Sequence, residues 1–285
     1  MAIAWIDGHW GDPAELALPL LDRGLQLADG LFETVLIRGG QPQLLAQHLA
    51  RWQHSAQLLG MEPPPGEAQL QPLIAEAIDR GNLCSQGGSG ALRLNWSRGQ
   101  ATPGASGPRR GIDLPTAEQA PLRHRFWLQL NACTPTFTPV TAMVSRQERR
   151  NATSLLSRCK TFAYGQSIQA RREAQAAGAD EALLLSTTGE LCCGSTANLL
   201  VRRQGQWLTP PLASGCLPGV MRQQALELGL AQEASLTADP QPDDRWLLIN
   251  SLSCRPIGAL EGKPLAPLEN PEGFWAQLQP WVEIR

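Results

Sequence analysis

The stretch 100–122 constrains this chain more than any other feature. It carries Pro103, Pro108, Pro115 and Pro121 among scattered glycines and shows no hydrophobic period, so no regular helix or strand runs through it. On both sides, short runs with β-type alternation are interleaved with runs of helical period, the pattern of an α+β chain. The expected organisation is a smaller N-terminal domain over 1–112, a linker over 113–124 and a larger C-terminal domain over 125–285.

In the first half, Ile3–Ile6 leads into a turn at Asp7-Gly8 and reads as a hairpin over 1–12, and Leu31–Arg38 reads as a strand closed by Gly39-Gly40. Leu45, Leu49, Trp52, Ala56 and Leu59 recur every three or four residues and predict an amphipathic helix over 44–59. Pro63–Gly66 breaks it, a second helix follows over 67–80, and Ala91–Trp96 is a strand. The second half restarts with strands near 125–133 and 140–146, then a helix over 161–177 ended by Gly178. Strands follow at 181–186, 197–202 and 246–250, with a helix over 220–230.

Charge and composition exclude several classes. With 24 Lys plus Arg against 26 Asp plus Glu, the net charge is −2, which lacks the basic surface that nucleic acid demands. Hydrophobic residues make up 42%, enough for a core, and no apolar run approaches the ~18 residues of a membrane span. The opening Met1–Asp7 has no basic region and too short an apolar run for a secretory signal, so the expected location is cytoplasmic. Seven cysteines without a C-x-x-C pair, and four dispersed histidines, predict neither a disulfide framework nor a metal site. Only two of the basic residues are lysines, Lys160 and Lys263, so chemistry that needs an amine has two candidates.

Four segments then stand out. They are Asp22-Arg-Gly with Asp29-Gly-Leu-Phe-Glu-Thr34 and His48-Leu-Ala-Arg51; Lys160-Thr-Phe-Ala-Tyr164 with Gly178-Ala-Asp-Glu-Ala182; Gly189-Glu-Leu-Cys-Cys-Gly-Ser-Thr-Ala-Asn198; and Gly215-Cys-Leu-Pro-Gly-Val-Met-Arg222. In this order and spacing the chain resembles the class IV aminotransferase family, the fold type IV pyridoxal-phosphate enzymes. Within it, the Gly-Leu-Phe-Glu-Thr and Cys-Cys-x-x-x-Ala-Asn patterns are most similar to the aminodeoxychorismate lyase branch. D-amino-acid and branched-chain aminotransferases are the other members. The resemblance implies a two-lobed α+β fold, a homodimer and the cofactor pyridoxal 5′-phosphate.

It also implies roles. Lys160 is similar to the lysine that captures the cofactor's aldehyde and later acts as base, while Lys263, in Glu261-Gly-Lys-Pro264, reads as a solvated turn residue. Arg51 resembles the phosphate arginine; it lies three residues after His48 and so on the same helix face. Gly219 with the amides of Val220 and Met221 opens a helix, where unpaired N–H groups bind phosphate. Tyr164 resembles the residue that meets the cofactor's phenolic oxygen. Where the family places a glutamate for the pyridine nitrogen, five residues before Asn198, this chain has Cys193, with Glu190 eight residues before. A thiol there weakens the electron sink, which disfavours transamination and suits elimination; a small core cysteine is the plain alternative. Arg98, Arg109 and Arg110 are candidates for substrate carboxylates, and Thr34, Asn250 and Ser251 for the site's border.

The implied reaction converts 4-amino-4-deoxychorismate to 4-aminobenzoate and pyruvate, a step of folate synthesis. The competing reading is transamination of D- or branched-chain amino acids. A third reading is a non-catalytic cofactor carrier.

Overall fold

The computed structural model describes residues 2–84, 88–101, 112 and 122–279. They form two compact units, Met1–Cys133 with Lys160–Ala163, and Thr134–Cys159 with Tyr164–Arg285.

In the first unit the elements are β1 (Ile3–Ile6), β2 (His9–Gly11), α1 (Arg23–Leu27), β3 (Gly30–Arg38), β4 (Gln41–Pro42), α2 (Leu45–Leu58), α3 (Glu67–Arg80), β5 (Ser89–Ala101) and β6 (Leu122–Ala132). The strands make one antiparallel sheet in the order β2-β1-β6-β5-β3-β4. Strand alternation gives this sheet two unlike faces. One carries Val35, Leu92 and Leu130 in a row across β3, β5 and β6, followed by Glu33, Leu94 and Leu128. Five of these six are apolar and almost wholly buried. The helix α2 covers this face through Leu49, Trp52 and Ala56, with the Trp52 ring 6.2 Å from Phe126. The other face carries Thr34, Arg93 and Gln129, then Phe32, Asn95 and Trp127.

The pairing of β6 with β5 and β1 corrects the expected domain boundary. The strand read as opening the second domain completes the first sheet. The long antiparallel register from Gly90↔Ala132 to Ala101↔Leu122 holds it there, so the first unit runs to Cys133 rather than 112. The lysine segment is a second correction. Lys160–Ala163 belongs to the first unit, not to the C-terminal one.

The second unit contains β7 (Val140–Arg150), α4 (Gly165–Ala176), β8 (Glu181–Ser186), β9 (Leu191–Gly194), β10 (Asn198–Arg203), β11 (Gln206–Thr209), α5 (Val220–Glu227), β12 (Ala231–Glu233), β13 (Arg245–Asn250), β14 (Ser253–Leu260), β15 (Lys263–Pro264) and α6 (Pro271–Gln277). Its strands run in the order β12-β11-β10-β13-β14-β7-β8-β9, and β9 also pairs β10, so six of them close into a barrel-like ring. Val140, Leu183, Leu191, Leu199, Val201, Trp246, Leu248 and Ile257 make one of its cores. A smaller cluster packs Ala170 and Ala174 of α4 against Leu184, Cys192, Cys193 and Cys216. All seven cysteines are thiols. Among the described residues no helix is long and apolar enough to cross a membrane, and no three His, Cys, Asp or Glu are grouped to hold a metal.

Candidate active site

Lys160 is placed by backbone pairing. The edge of β3 is taken by β4 only at Ile37 and Arg38. At its other end Phe32 N–H donates to the Lys160 carbonyl (2.9 Å), Phe162 N–H donates to the Gly30 carbonyl (3.0 Å), and Leu31 bridges Thr161. This pairing is why α4 starts at Gly165 and not at 161 as the sequence reading had it. A Cβ on Gly30 would fall 2.2 Å from the Phe162 ring, so glycine is what lets that ring lie against β3. The Phe162 ring lies 6.3 Å from Phe32 and 5.5 Å from Trp127. Over Phe32 stand two cations: Lys160 Nζ at 4.4 Å from the ring centre and Arg93 Cζ at 3.6 Å. Both distances lie within cation–π range. Arg93 Nε donates to Asn95 Oδ1 (2.7 Å), which fixes the guanidinium against the sheet.

Arg51 lies on the helix-covered face. Its Nε donates to Glu33 Oε1 (2.8 Å) and its Nη2 to Oε2, while His48 Nδ1 meets the same Oε2 at 2.7 Å. Glu33 is buried; burial pushes its carboxyl up, but the Arg51 charge and the hydrogen bonds of His48 and Arg51 outweigh that and bring it to about 2. His48 titrates below its ordinary range, chiefly through burial, with Arg51 and Lys160 adding to the effect and Glu33 opposing it.

The Asp22-Arg-Gly opening of the first motif shapes the backbone. Asp22 caps α1 by accepting from Gly24 N–H (2.8 Å). Arg98, a candidate for a substrate carboxylate, is held by partners inside its own unit. It is 7% exposed, its Nε meets both oxygens of Asp29 at 3.0 Å, and Nη1 and Nη2 donate to the carbonyls of Gly60 and Leu59. Thr34 is half-buried on the Arg93 face of β3, directly opposite Arg93. Arg109 and Arg110 lie outside the described residues.

In the second unit, Asn198 Nδ2 donates to the Leu217 carbonyl (2.9 Å), and Gly219 N–H donates to the same carbonyl (2.8 Å). A Cβ on Gly219 would sit 1.8 Å from Asn198 Oδ1, so any other residue there must displace that side chain or the turn. Gly219 is the cap residue of α5, and the first-turn amides, those of Val220 and Met221 among them, have no acceptor within the helix. Tyr164 is half-buried at the start of α4. Cys193 is buried and pairs Asn198 across β9 and β10. Glu190 is tied locally: Thr188 donates to its Oε1 (2.8 Å) within the β8–β9 turn. Ser251 is at the β13–β14 turn, which Asn250 Oδ1 shapes by accepting from Leu252 N–H (2.8 Å) and Ser253 Oγ (3.0 Å).

A model described as amino-transferase class IV matches residues 30–260. The chain belongs to the class IV aminotransferase family. It is 26% identical over 277 residues to a D-alanine aminotransferase of Bacillus licheniformis, covering 91% of this chain and 88% of that one. It is 26% identical over 254 residues to a bifunctional aminodeoxychorismate lyase / D-amino acid transaminase of Mycobacterium tuberculosis, covering 81% and 78%. In fold it is similar to a hypothetical aminotransferase from Mycobacterium tuberculosis solved in a PLP-bound form, with a TM-score of 0.78 at 22% identity over 98% and 97% of the two chains.

Within this class IV chain, the sequence by itself assigns no role to three residues of the site. Glu33 lies in a motif, and Leu31, Val35 and Ile37 alternate with it and mark its position as inward. Phe32 lies in the same motif without a role of its own there, and Arg93 reads as an ordinary strand residue. Arg93 alternates with Leu92 and Leu94 and so looks solvent-facing; nothing local shows that Lys160, 67 positions on, meets the same ring.

Proposed function

We propose that this class IV chain is a pyridoxal-5′-phosphate-dependent lyase that converts 4-amino-4-deoxychorismate to 4-aminobenzoate and pyruvate. The carrying observation is the Phe32 ring, over which an amine and a guanidinium stand together on a sheet face that also holds Trp127 and Phe162. A flat ring bearing an amine and a carboxylate has complementary partners there.

The residues suit the cofactor. Each unit offers donors by itself: the first an amine at Lys160 and a guanidinium at Arg51, the second helix-opening amides at Val220 and Met221 beside Gly219, where a Cβ would crowd Asn198 Oδ1. Tyr164 is assigned the phenolic oxygen. Pyridoxal phosphate, when bound, supplies an aldehyde for amines and draws electrons from the carbon beside the nitrogen. Lys160 removes the proton from the ring carbon that bears nitrogen. The C–O bond of the enolpyruvyl ether on the neighbouring carbon breaks as the ring becomes aromatic. Lys160 or water returns a proton to the methylene carbon of the departing enolpyruvate. Arg93 binds a substrate carboxylate, with Thr34 and Ser251 as border residues. Cys193, with Glu190 tied to Thr188, favours this elimination over transamination.

Transamination of D- or branched-chain amino acids is the second reading, supported by the paired activities in the name of the Mycobacterium tuberculosis relative. Incubation with aminodeoxychorismate, generated by its synthase, separates the two. The lyase forms 4-aminobenzoate; rapid amino acid/2-oxo acid exchange without 4-aminobenzoate decides for the transaminase.

A cytoplasmic homodimer is part of the same proposal. The dimer's support is an exposed apolar surface at Leu20 and Leu21, just before α1, and at Leu25 and Leu27 on α1, a helix with no buried residue. Light scattering of the full chain reads the dimer's mass, and a monomer at all concentrations rejects it.

A further inference from the structure

Glu33 occupies an apolar position. On its face of the sheet its neighbours across the strands are Leu94 and Leu128, both fully buried, and Glu33 itself is 1% exposed. An unpartnered carboxylate could not stay ionised there. Two donors from one face of α2 keep it so: Arg51 closes a two-bond fork on it, and His48 Nδ1 meets one of the same oxygens. The ring of His48 must then carry its hydrogen on Nδ1. With the imidazole neutral, the cluster sums to no net charge, and the Nε–Nη2 edge of Arg51 is closed by an internal anion.

We propose that Glu33 is the resident counter-anion of Arg51 and lowers the affinity of that arginine for phosphate. This rests on the reading of Arg51 as a phosphate ligand. Glu33 has two opposed effects on an incoming phosphate group. Holding the guanidinium in one orientation favours binding by about the ordering of a single side chain. A fixed negative charge a few ångströms from a dianion, in a site largely closed to water, opposes binding more strongly than that. Repulsion wins. The same carboxylate gives the partly buried Arg51 a counter-charge when no phosphate is bound.

The test is calorimetric titration of inorganic phosphate into the full chain, purified without added cofactor, at pH 7.5 and low salt. Glu33→Gln is expected to bind phosphate about tenfold more tightly than the natural chain, with the difference shrinking as salt is raised. Equal or weaker binding overturns the proposal, since a purely structural or orienting role gives one of those results. If Glu33→Gln does not fold, Glu33→Asp draws the charge back by one methylene; a smaller gain of the same sign supports the proposal, and no gain overturns it. Arg51→Met separates the two levels. Loss of phosphate binding upholds Arg51 as the ligand, whereas retained binding rejects that assignment and the role of Glu33 with it.

Discussion

Lys160 and Phe32 are joined twice. The Phe32 N–H donates to the Lys160 carbonyl at 2.9 Å, and the Lys160 amine stands 4.4 Å from the centre of the Phe32 ring. The backbone bond sets where the lysine leaves the sheet, and the ring sets where its amine ends. Phe32→Leu keeps the strand bond and most of the volume but removes the π-face, worth about 0.5–2 kcal/mol to a cation. The expected result is a kcat/KM about tenfold lower with little change in melting temperature. Steady-state kinetics with thermal unfolding check it.

Arg93 and Arg98, five residues apart on β5, should behave oppositely. Arg98 ties Asp29 to two carbonyls in a buried setting, so Arg98→Met costs about 3–5 kcal/mol of stability. Denaturant unfolding measures that loss, and the KM of whatever chain remains folded is unchanged. Arg93→Gln removes a charge-assisted carboxylate contact and raises KM about ten- to a hundredfold while the fold is kept.

Gly219→Ala forces a methyl group onto Asn198 Oδ1. Relief by moving the Leu217–Gly219 turn costs about 1–3 kcal/mol and tilts the amides that open α5. Spectroscopic titration is expected to show weaker binding of pyridoxal phosphate with a smaller change for pyridoxal, which lacks the phosphate.

Acid should destabilise the chain in two stages. The buried His48 titrates below its ordinary 6.5 in the folded state, so the unfolded chain takes up a proton that the folded chain refuses, and stability falls as pH drops below about 6.5. Glu33, brought from 4.5 to about 2, contributes stability that is fully present above 4.5 and is lost as pH falls toward 2. Urea midpoints across this range follow both limbs. In His48→Gln the limb just below 6.5 is smaller, and the lower one persists.

Much of this was legible from residue order. The helical period over 44–59 foretold α2 and the shared face of His48 and Arg51, because three-residue spacing is a local property of a helix. Partners distant in sequence were not legible. Glu33 meets Arg51, Arg98 meets Asp29, and the lysine segment pairs with β3, all through tertiary registers that carry no local signature. The domain boundary failed for the same reason: a Pro/Gly-rich stretch between β5 and β6 reads like a linker between domains, although the strands on either side are paired neighbours in one sheet.

Cys193→Glu tests the electron-sink argument. With position 193 facing the cofactor's pyridine nitrogen, as proposed, a carboxylate there would hold a proton on it, so half-transamination should rise and elimination should fall. Single-turnover spectra with D-alanine record the first, and 4-aminobenzoate release the second.

The central claim is a covalent bond at one amine, and the most direct measurement is peptide mass after borohydride treatment of the chain loaded with pyridoxal phosphate. The account predicts a reduced pyridoxyl-phosphate addition on Lys160 and loss of the visible absorbance band in Lys160→Ala. Addition at Lys263, or a Lys160→Ala chain that stays coloured and fully active, would contradict it.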